Sequence, residues 1–263
     1  MRRVQPKVFL VGETYFDYSS LRQYLEHVGA PEWGEDNLRD GKQSDAETLV
    51  EVMGRVCYRA FKPGLNPNVQ KVREGNDVYL ANIIKSRHGS VLEHSQTNWI
   101  FADVSRVFTH ELVRHRVGTA FSQESLRYVR LTDLGLWLPQ EIEHEAGLVD
   151  LFETTFRSLE EIQLRMADHF HLDEPGTNFE TKKKITSAMR RLAPIGLATT
   201  IGMSMNFRAL RHLVELRTAE SAEVEIRLVF DEVAHISKAR WPNVFQDFTR
   251  NEKGEWVTPN SKI

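Results

Sequence analysis

Apolar residues along this chain recur at helical spacing far more often than in strict alternation. The longest run is Ala146, Val149, Phe152, Phe156, Leu159, Ile162 and Met166. Steps of three and four place these residues on one stripe of an α-helix. Pro175-Gly176 ends it. Similar patterns predict a helix after Ser19 or Ser20 with Leu21, Tyr24, Leu25 and Val28 inward, and another from a cap at Asp45 to about Phe61 with Leu49, Val52, Met53 and Val56 inward. A third covers Asp77 to Arg87 (Val78, Leu80, Ala81 and Ile84 inward), and a fourth follows Ser105, with Val104, Phe108 and Leu112 in register. Towards the C-terminus, helices are expected at about Thr181–Leu192, at Phe207–Leu216 (Leu210, Leu213, Val214) and at Ala222–Arg240 (Ile226, Phe230, Val233, Ile236). Strands are expected at Lys7–Val11, Thr97–Val104 and Val129–Leu131. Ala193–Met205 is the least polar segment and reads as buried core near a site. Pro31–Asp45 reads as a surface loop, and the polar tail 250–263 as loose. No repeat or linker interrupts the chain, so the expectation is one domain over 1–263, α+β with helices dominating.

The totals narrow the function. A net charge of -3 over 263 residues excludes a polyelectrolyte binder of nucleic acid, so any basic site is local. The single cysteine, Cys57, permits no disulfide within the chain and fits a reducing cytoplasm. No apolar run is long enough to span a membrane.

Several chemistries fail on spacing. His110 and His115 are five apart, about 140° out of alignment on a helix, where a zinc pair stands four apart. Gly41-Lys42 lacks the first glycine and the Ser or Thr of a phosphate loop. No G-x-S-x-G elbow or glycine-rich dinucleotide fingerprint occurs. What remains is arginine. Arg114-His115-Arg116 is followed by Ser125-Leu126-Arg127-Tyr128, and Arg190, Arg191, Arg208 and Arg217 recur beside apolar segments. Each alone reads as a surface ion pair. As a set they favour phosphorylated small molecules, because a guanidinium matches phosphate oxygens two at a time. A helix capped by Asn206 or Ser204 adds an N-terminus that attracts anions.

At these residues the chain resembles the flavin-dependent thymidylate synthases, from about Leu49 to Phe248. The family signature RHR followed by Ser-x-Arg-Tyr is matched by Arg114-His115-Arg116 and Ser125 to Tyr128. Its His-x-(Ser/Thr)-x-x-Glu-His element is matched by His88, Ser90, Glu93 and His94. Arg190 with Pro194, and Asn206 with Arg208 and Arg217, match two further elements. The resemblance implies a mainly antiparallel central sheet flanked by helices, and a homotetramer with FAD between subunits. NADPH would reduce the flavin, methylenetetrahydrofolate would donate the one-carbon unit, and dUMP would be methylated at carbon 5. It also implies flavin contacts at Cys57, His88, Ser90, Glu93, Arg114, His115, Arg116, Asn206, Arg208 and His212. Nucleotide contacts would fall at Glu111, Gln123, Ser125, Arg127, Arg190 and Arg217, with Arg217 and Ser125 beside the reacting ring. Three departures stand out. Eight residues, Val117 to Glu124, separate RHR from Ser125 where the family usually has seven. Glu111 replaces a frequent glutamine, and Ser221 a histidine found in some members. The first two motivate an alternative, a relative that methylates UMP or another uracil nucleotide. A catalytically silent nucleotide- or RNA-binding module would use the same arginines without flavin.

Overall fold

The computed structural model describes residues 1–37, 43–261 and 263. Its centre is an antiparallel four-stranded sheet in the order β2 (Lys7–Glu13), β3 (Gln96–Ser105), β6 (Ala198–Asn206) and β4 (Thr119–Gln123). The segment read as buried core is thus an inner strand. Along β3 and β6, Trp99, Phe101, Ile201, Met203 and Met205 alternate onto one face and are buried. They pack with Phe207, Leu210 and Leu213 of α9 (Phe207–Thr218) and Ile226, Phe230 and Val233 of α10 (Val224–Arg240). Each such side chain contributes about 1.5–3 kcal/mol on leaving water. Two short strands, β1 (Arg2–Arg3) and β5 (Gly135–Leu136), pair in parallel beside the sheet.

Most predicted helices are present, with shifted ends. In α1 (Tyr18–Val28) the cap is Asp17, whose carboxylate accepts from Ser19 N and Ser20 N, so the two serines are inside the helix. Pro31–Asn37, expected as loop, is helix α2; Pro31 suits the first position because no amide there needs a partner. Gly41-Lys42 lies outside the described residues. Helix α3 runs Asp45–Tyr58 and is capped by Ser44, not Asp45, in a reciprocal box with Glu47. Its inward face differs from the expectation: Val56 is exposed, while Glu51 and Arg55 are buried. Their ionic heads satisfy each other. Arg55 Nε and Nη2 donate to Glu51 Oε1 at 2.8 and 2.7 Å, and Asn76 Nδ2 donates to Glu51 Oε2 at 2.8 Å. Helix α4 (Asn76–Lys85) buries Tyr79, Leu80, Ile83 and Ile84 and leaves Val78 outside. A 3₁₀ turn at Gly89–His94 leads into β3.

After β3 comes α5 (Arg106–Leu112), with Phe108 and Leu112 fully buried as the periodicity requires. The edge strand β4 replaces the strand expected at Val129–Leu131. Leu131 instead enters a small apolar cluster with Leu134, Leu136, Leu138 and Phe156. Next come a short turn of helix, α6 (Gln140–Glu143), and then α7 (Ala146–His169), which has the predicted stripe and only partial cover. Phe156 is buried, but Phe152 and Ile162 remain 37% and 38% exposed. Helix α8 (Phe179–Met189) runs into a 3₁₀ turn at Arg190–Leu192. The tail expected to be loose is folded. Strands β7 (Thr249–Arg250) and β8 (Trp256–Val257) form a hairpin, and Trp256 is buried. Thr258 and Asn260 donate to Asp247, and Arg208 Nε donates to the carbonyl of Ile263 at 2.7 Å. No helix among the described residues is long and apolar enough to cross a membrane.

Candidate active site

The Arg114-His115-Arg116 stretch is the turn between α5 and β4, and both ends of that turn are fixed. At its start, the Ser105 hydroxyl accepts from Phe108 N at 3.2 Å and caps α5. Glu225 in turn accepts Ser105 N at 2.6 Å and the Ser105 hydroxyl proton. Burial pushes the Glu225 carboxyl up to about 7, against the opposing pull of the two Ser105 bonds. At the far end, Gly118 has φ +70°, and a Cβ there would lie 2.5 Å from Asn206 Nδ2. Asn206 N donates to Gly118 O at 3.0 Å, and the Asn206 side chain caps α9 by accepting from Ala209 N at 2.8 Å. The upstream arginine stretch and the downstream Asn206 element are therefore one structural unit.

Arg217, on the last turn of α9, reaches back across this unit. Its Nη1 donates to Glu111 Oε2 and its Nε to His115 Nε2, both at 2.8 Å. An Nε2 that accepts a guanidinium hydrogen bond carries no proton, so the ring proton is assigned to Nδ1. Burial, with the neighbouring charges of Arg217 and His212, pushes His115 down to about 4 and keeps it neutral at physiological pH.

A cavity of about 580 Å³ lies at the other end of β4, from Gln123 onward. It gathers Gln123, Ser125 and Arg190 from the predicted nucleotide set. Gln123 is held by donating from Nε2 to Thr109 Oγ1 at 3.0 Å. Arg127 is not on this wall; it is exposed, with its guanidinium 5.7 Å from the Tyr128 ring centre. Arg191, from the arginine set noted in the sequence, and Arg106 and Glu124, which no motif pointed to, complete the lining. Arg106 Nη2 donates to Glu124 O at 3.1 Å, while its buried Nε has no hydrogen-bond partner among the described residues. Burial lowers its pKa, Glu124 opposes that, and Arg190 adds to it. There was a signal for Arg106 in the sequence: a cation at the first position after a serine cap sits at the positive end of a helix, where cations are disfavoured.

The remaining predicted residues form a third group around the Gly89–His94 turn. Arg208 donates from Nη1 to Glu93 Oε1 and from Nε to the Ile263 carbonyl. A Cβ on Gly89 would lie 2.5 Å from the Ile263 carbonyl carbon and 2.9 Å from Arg208 Nε, so the turn admits no side chain there. His88 stacks on Tyr58, ring centres 6.0 Å apart and 20° between planes. His212 lies beside Arg208 in a small crevice that Ile263 closes. Ser90 and Cys57 are exposed, as are Arg114 and Arg116, which make no ion pair among the described residues.

The antiparallel sheet thus carries arginines towards both ends, with Arg114, Arg116, Arg208 and Arg217 around the Thr119 and Asn206 end and Arg106 and Arg190 beyond Gln123, a set suited to anions. Residues 41–243 match the family model described as Thy1, thymidylate synthase complementing protein, and the chain belongs to that family. It is 35% identical over 222 residues to a flavin-dependent thymidylate synthase of Corynebacterium diphtheriae, covering 82% of this chain and 84% of that one. A protein of the same name from Mycolicibacterium gilvum is 34% identical over 219 residues, covering 82% and 83%. Among solved structures, the UMP/dUMP methylase PolB of Streptomyces cacaoi with 5-Br dUMP shares the fold at a TM-score of 0.63 and 17% identity, over 98% of this chain and 100% of that one. Thymidylate synthase X of Helicobacter pylori with FAD and dUMP aligns at 0.51 and 19%, over 76% and 94%.

Proposed function

We propose that the chain is a flavin-dependent thymidylate synthase that converts dUMP to dTMP. The balance is one methylene from methylenetetrahydrofolate and one hydride originating in NADPH, with the carbon-5 proton of the uracil lost; the folate leaves as tetrahydrofolate, its two freed nitrogens taking up two protons, so that one proton is consumed from solvent overall. The observation that carries this reading is the cavity where Arg106 and Arg190 converge with Gln123 and Ser125, Arg106 keeping a buried N–H that has no partner among the described residues.

In this reading Arg106 and Arg190 hold the 5′-phosphate, with Arg127 closing from outside. Gln123 and Ser125 orient the nucleotide. Arg217, locked by Glu111 and His115, presents its cation to the carbonyl edge of the ring, where negative charge develops as carbon 5 becomes nucleophilic. Ser125 positions and does not attack.

The residues assigned to FAD fit it. Arg114 and Arg116 are exposed cations without carboxylate partners among the described residues, suited to a diphosphate, and the neutral His115 and the amide of Asn206 face the same turn. His88, Ser90, Glu93, Arg208 and His212 would complete the contacts, with Cys57 at the margin. When bound, FAD supplies the hydride chemistry that this chain's side chains cannot. The partly uncovered stripe of α7 and the placement of Arg127 outside the cavity support assembly into a homotetramer with sites shared between subunits. A cytoplasmic location belongs to the same proposal.

Glu111 motivates the second reading. Its partly exposed carboxylate beside Arg217 can accept a hydrogen bond from a ribose 2′-hydroxyl, which would admit UMP. The deciding experiment measures tritium release from 5-tritiated dUMP and UMP by yellow, FAD-loaded protein with NADPH and methylenetetrahydrofolate. Preferential release from dUMP is expected. Release from UMP at equal or greater efficiency overturns dUMP as the substrate, and colourless protein that NADPH cannot bleach overturns the flavoenzyme.

A further inference from the structure

A second large cavity, about 510 Å³, opens between the C-terminal end of α3, the Tyr79, Asn82 and Ile83 side of α4 and the segment 68–73. None of its lining residues belongs to the nucleotide cavity. Its one link to the flavin group is His88, which precedes the Gly89–His94 turn and stacks on Tyr58 at the cavity wall.

The charge around it is lopsided. Between residues 55 and 88 there are seven Lys and Arg against Glu74 and Asp77, in a chain whose net charge is -3. The buried Arg55 is not available to a ligand. It donates to Glu51, Ala60 O and Arg73 O, and so it ties the 68–73 segment to α3. The exposed cations are a different matter. Lys71 and Arg73 line the cavity and make no ion pair among the described residues. Unpaired cations around a concave wall raise the local concentration of anions. Tyr58 and His88 add a flat aromatic surface, and Asn82 a side-chain amide.

We propose that this cavity receives the dinucleotide reductant, with Lys71 and Arg73 holding its phosphates and the Tyr58–His88 pair bounding the side from which its nicotinamide approaches the flavin. The proposal rests on the flavoenzyme reading above. A planar heterocycle on a multiply charged tail describes both NADPH and a folate. The count of charges favours NADPH, whose pyrophosphate and 2′-phosphate carry roughly four negative charges at neutral pH against about two for a monoglutamyl folate. An unpaired arginine and lysine also give a physical reason to prefer the 2′-phosphate over its absence in NADH.

The test uses FAD-loaded protein in the wild-type form and as the double variant Lys71→Ala/Arg73→Ala. Both side chains are exposed, so unfolding temperature should be unchanged, and Lys71→Gln alone serves if the double variant does not fold. Three quantities are read: NADP⁺ binding by equilibrium dialysis, the half-saturating NADPH for anaerobic flavin bleaching, and the half-saturating methylenetetrahydrofolate for tritium release. The expected result is at least a tenfold weakening for NADP⁺ and NADPH, a limiting bleaching rate within twofold of wild type, a smaller preference for NADPH over NADH, and an unchanged folate value. Unchanged NADP⁺ affinity overturns the proposal. So does a raised folate value with NADPH unaffected, which would assign the cavity to the folate. Failure of the wild-type flavin to bleach at all would defeat the flavoenzyme reading instead, which keeps the two failures apart.

Discussion

Arg106→Leu separates a residue held for function from one held for stability. Arg106 sits at the first position of α5 with its Nε buried and without a partner among the described residues, and with Arg190 nearby. Removing the cation relieves its conflict with the helix dipole, about 0.3–1 kcal/mol in favour of the variant. It also deletes one hydrogen bond to Glu124 O, about 0.5–1.5 kcal/mol against. The sum is near zero, so the unfolding temperature of the nucleotide-free protein should move by no more than a few degrees in either direction. Nucleotide binding should not be spared. A hydrogen bond to a charged phosphate is worth about 1.5–3 kcal/mol, which corresponds to roughly 10- to 150-fold weaker dUMP at 1.4 kcal/mol per decade. Thermal unfolding without nucleotide and titration of the flavin spectrum with dUMP supply the two numbers. A variant that melts many degrees lower yet binds dUMP normally would refute the reasoning, because Arg106 would then be structural.

Glu111→Gln restores the residue frequent in the family and keeps a hydrogen-bond acceptor for Arg217 while removing the ion pair; kcat for dUMP should stay within a few-fold of wild type, and steady-state kinetics on both nucleotides will show whether UMP is lost selectively, as the alternative substrate requires. Gly89→Ala places a methyl against Ile263 and Arg208 and should cost the protein bound FAD, read as the ratio of flavin to protein absorbance after gel filtration; full flavin occupancy would show that the C-terminal contact yields freely. The Glu225 carboxyl, raised from 4.5 to about 7, binds its proton more tightly when folded, so its contribution is present below pH 4.5 and is lost as pH rises to 7, about 3 kcal/mol in all. His115, lowered from 6.5 to about 4, works the other way across pH 4 to 6.5, by about 1–2 kcal/mol after allowance for its partial exposure. Urea unfolding at a series of pH values should therefore show stability falling from pH 4.5 to 7 in the wild type and rising over pH 4.5 to 6.5 in Glu225→Gln; parallel curves would contradict the assignment.

What could be read from the sequence divides along a physical line. Elements whose burial is apolar and periodic were legible: the stripe of Val104, Phe108 and Leu112, and the inward faces of α9 and α10. Elements whose burial is ionic were not. On α3 a rule of apolar-in points to Val56, yet Glu51 and Arg55 lie inside because they satisfy each other there, and pairing across space leaves no mark on periodicity. The same limit applied to the site. Motifs identified Arg114, Asn206 and Arg217 separately, but no spacing rule could state that Gly118 packs on Asn206, or that Arg217 bridges Glu111 and His115. The tail was misread for a related reason: its composition is polar, and its anchors, Trp256, the Asp247 contacts and Ile263 on Arg208, are few and long-range. Arg106 is the instructive exception, since a cation just after a helix cap contradicts a local rule. Where local propensity is violated without local compensation, the compensation is elsewhere, and a ligand is one place to look for it.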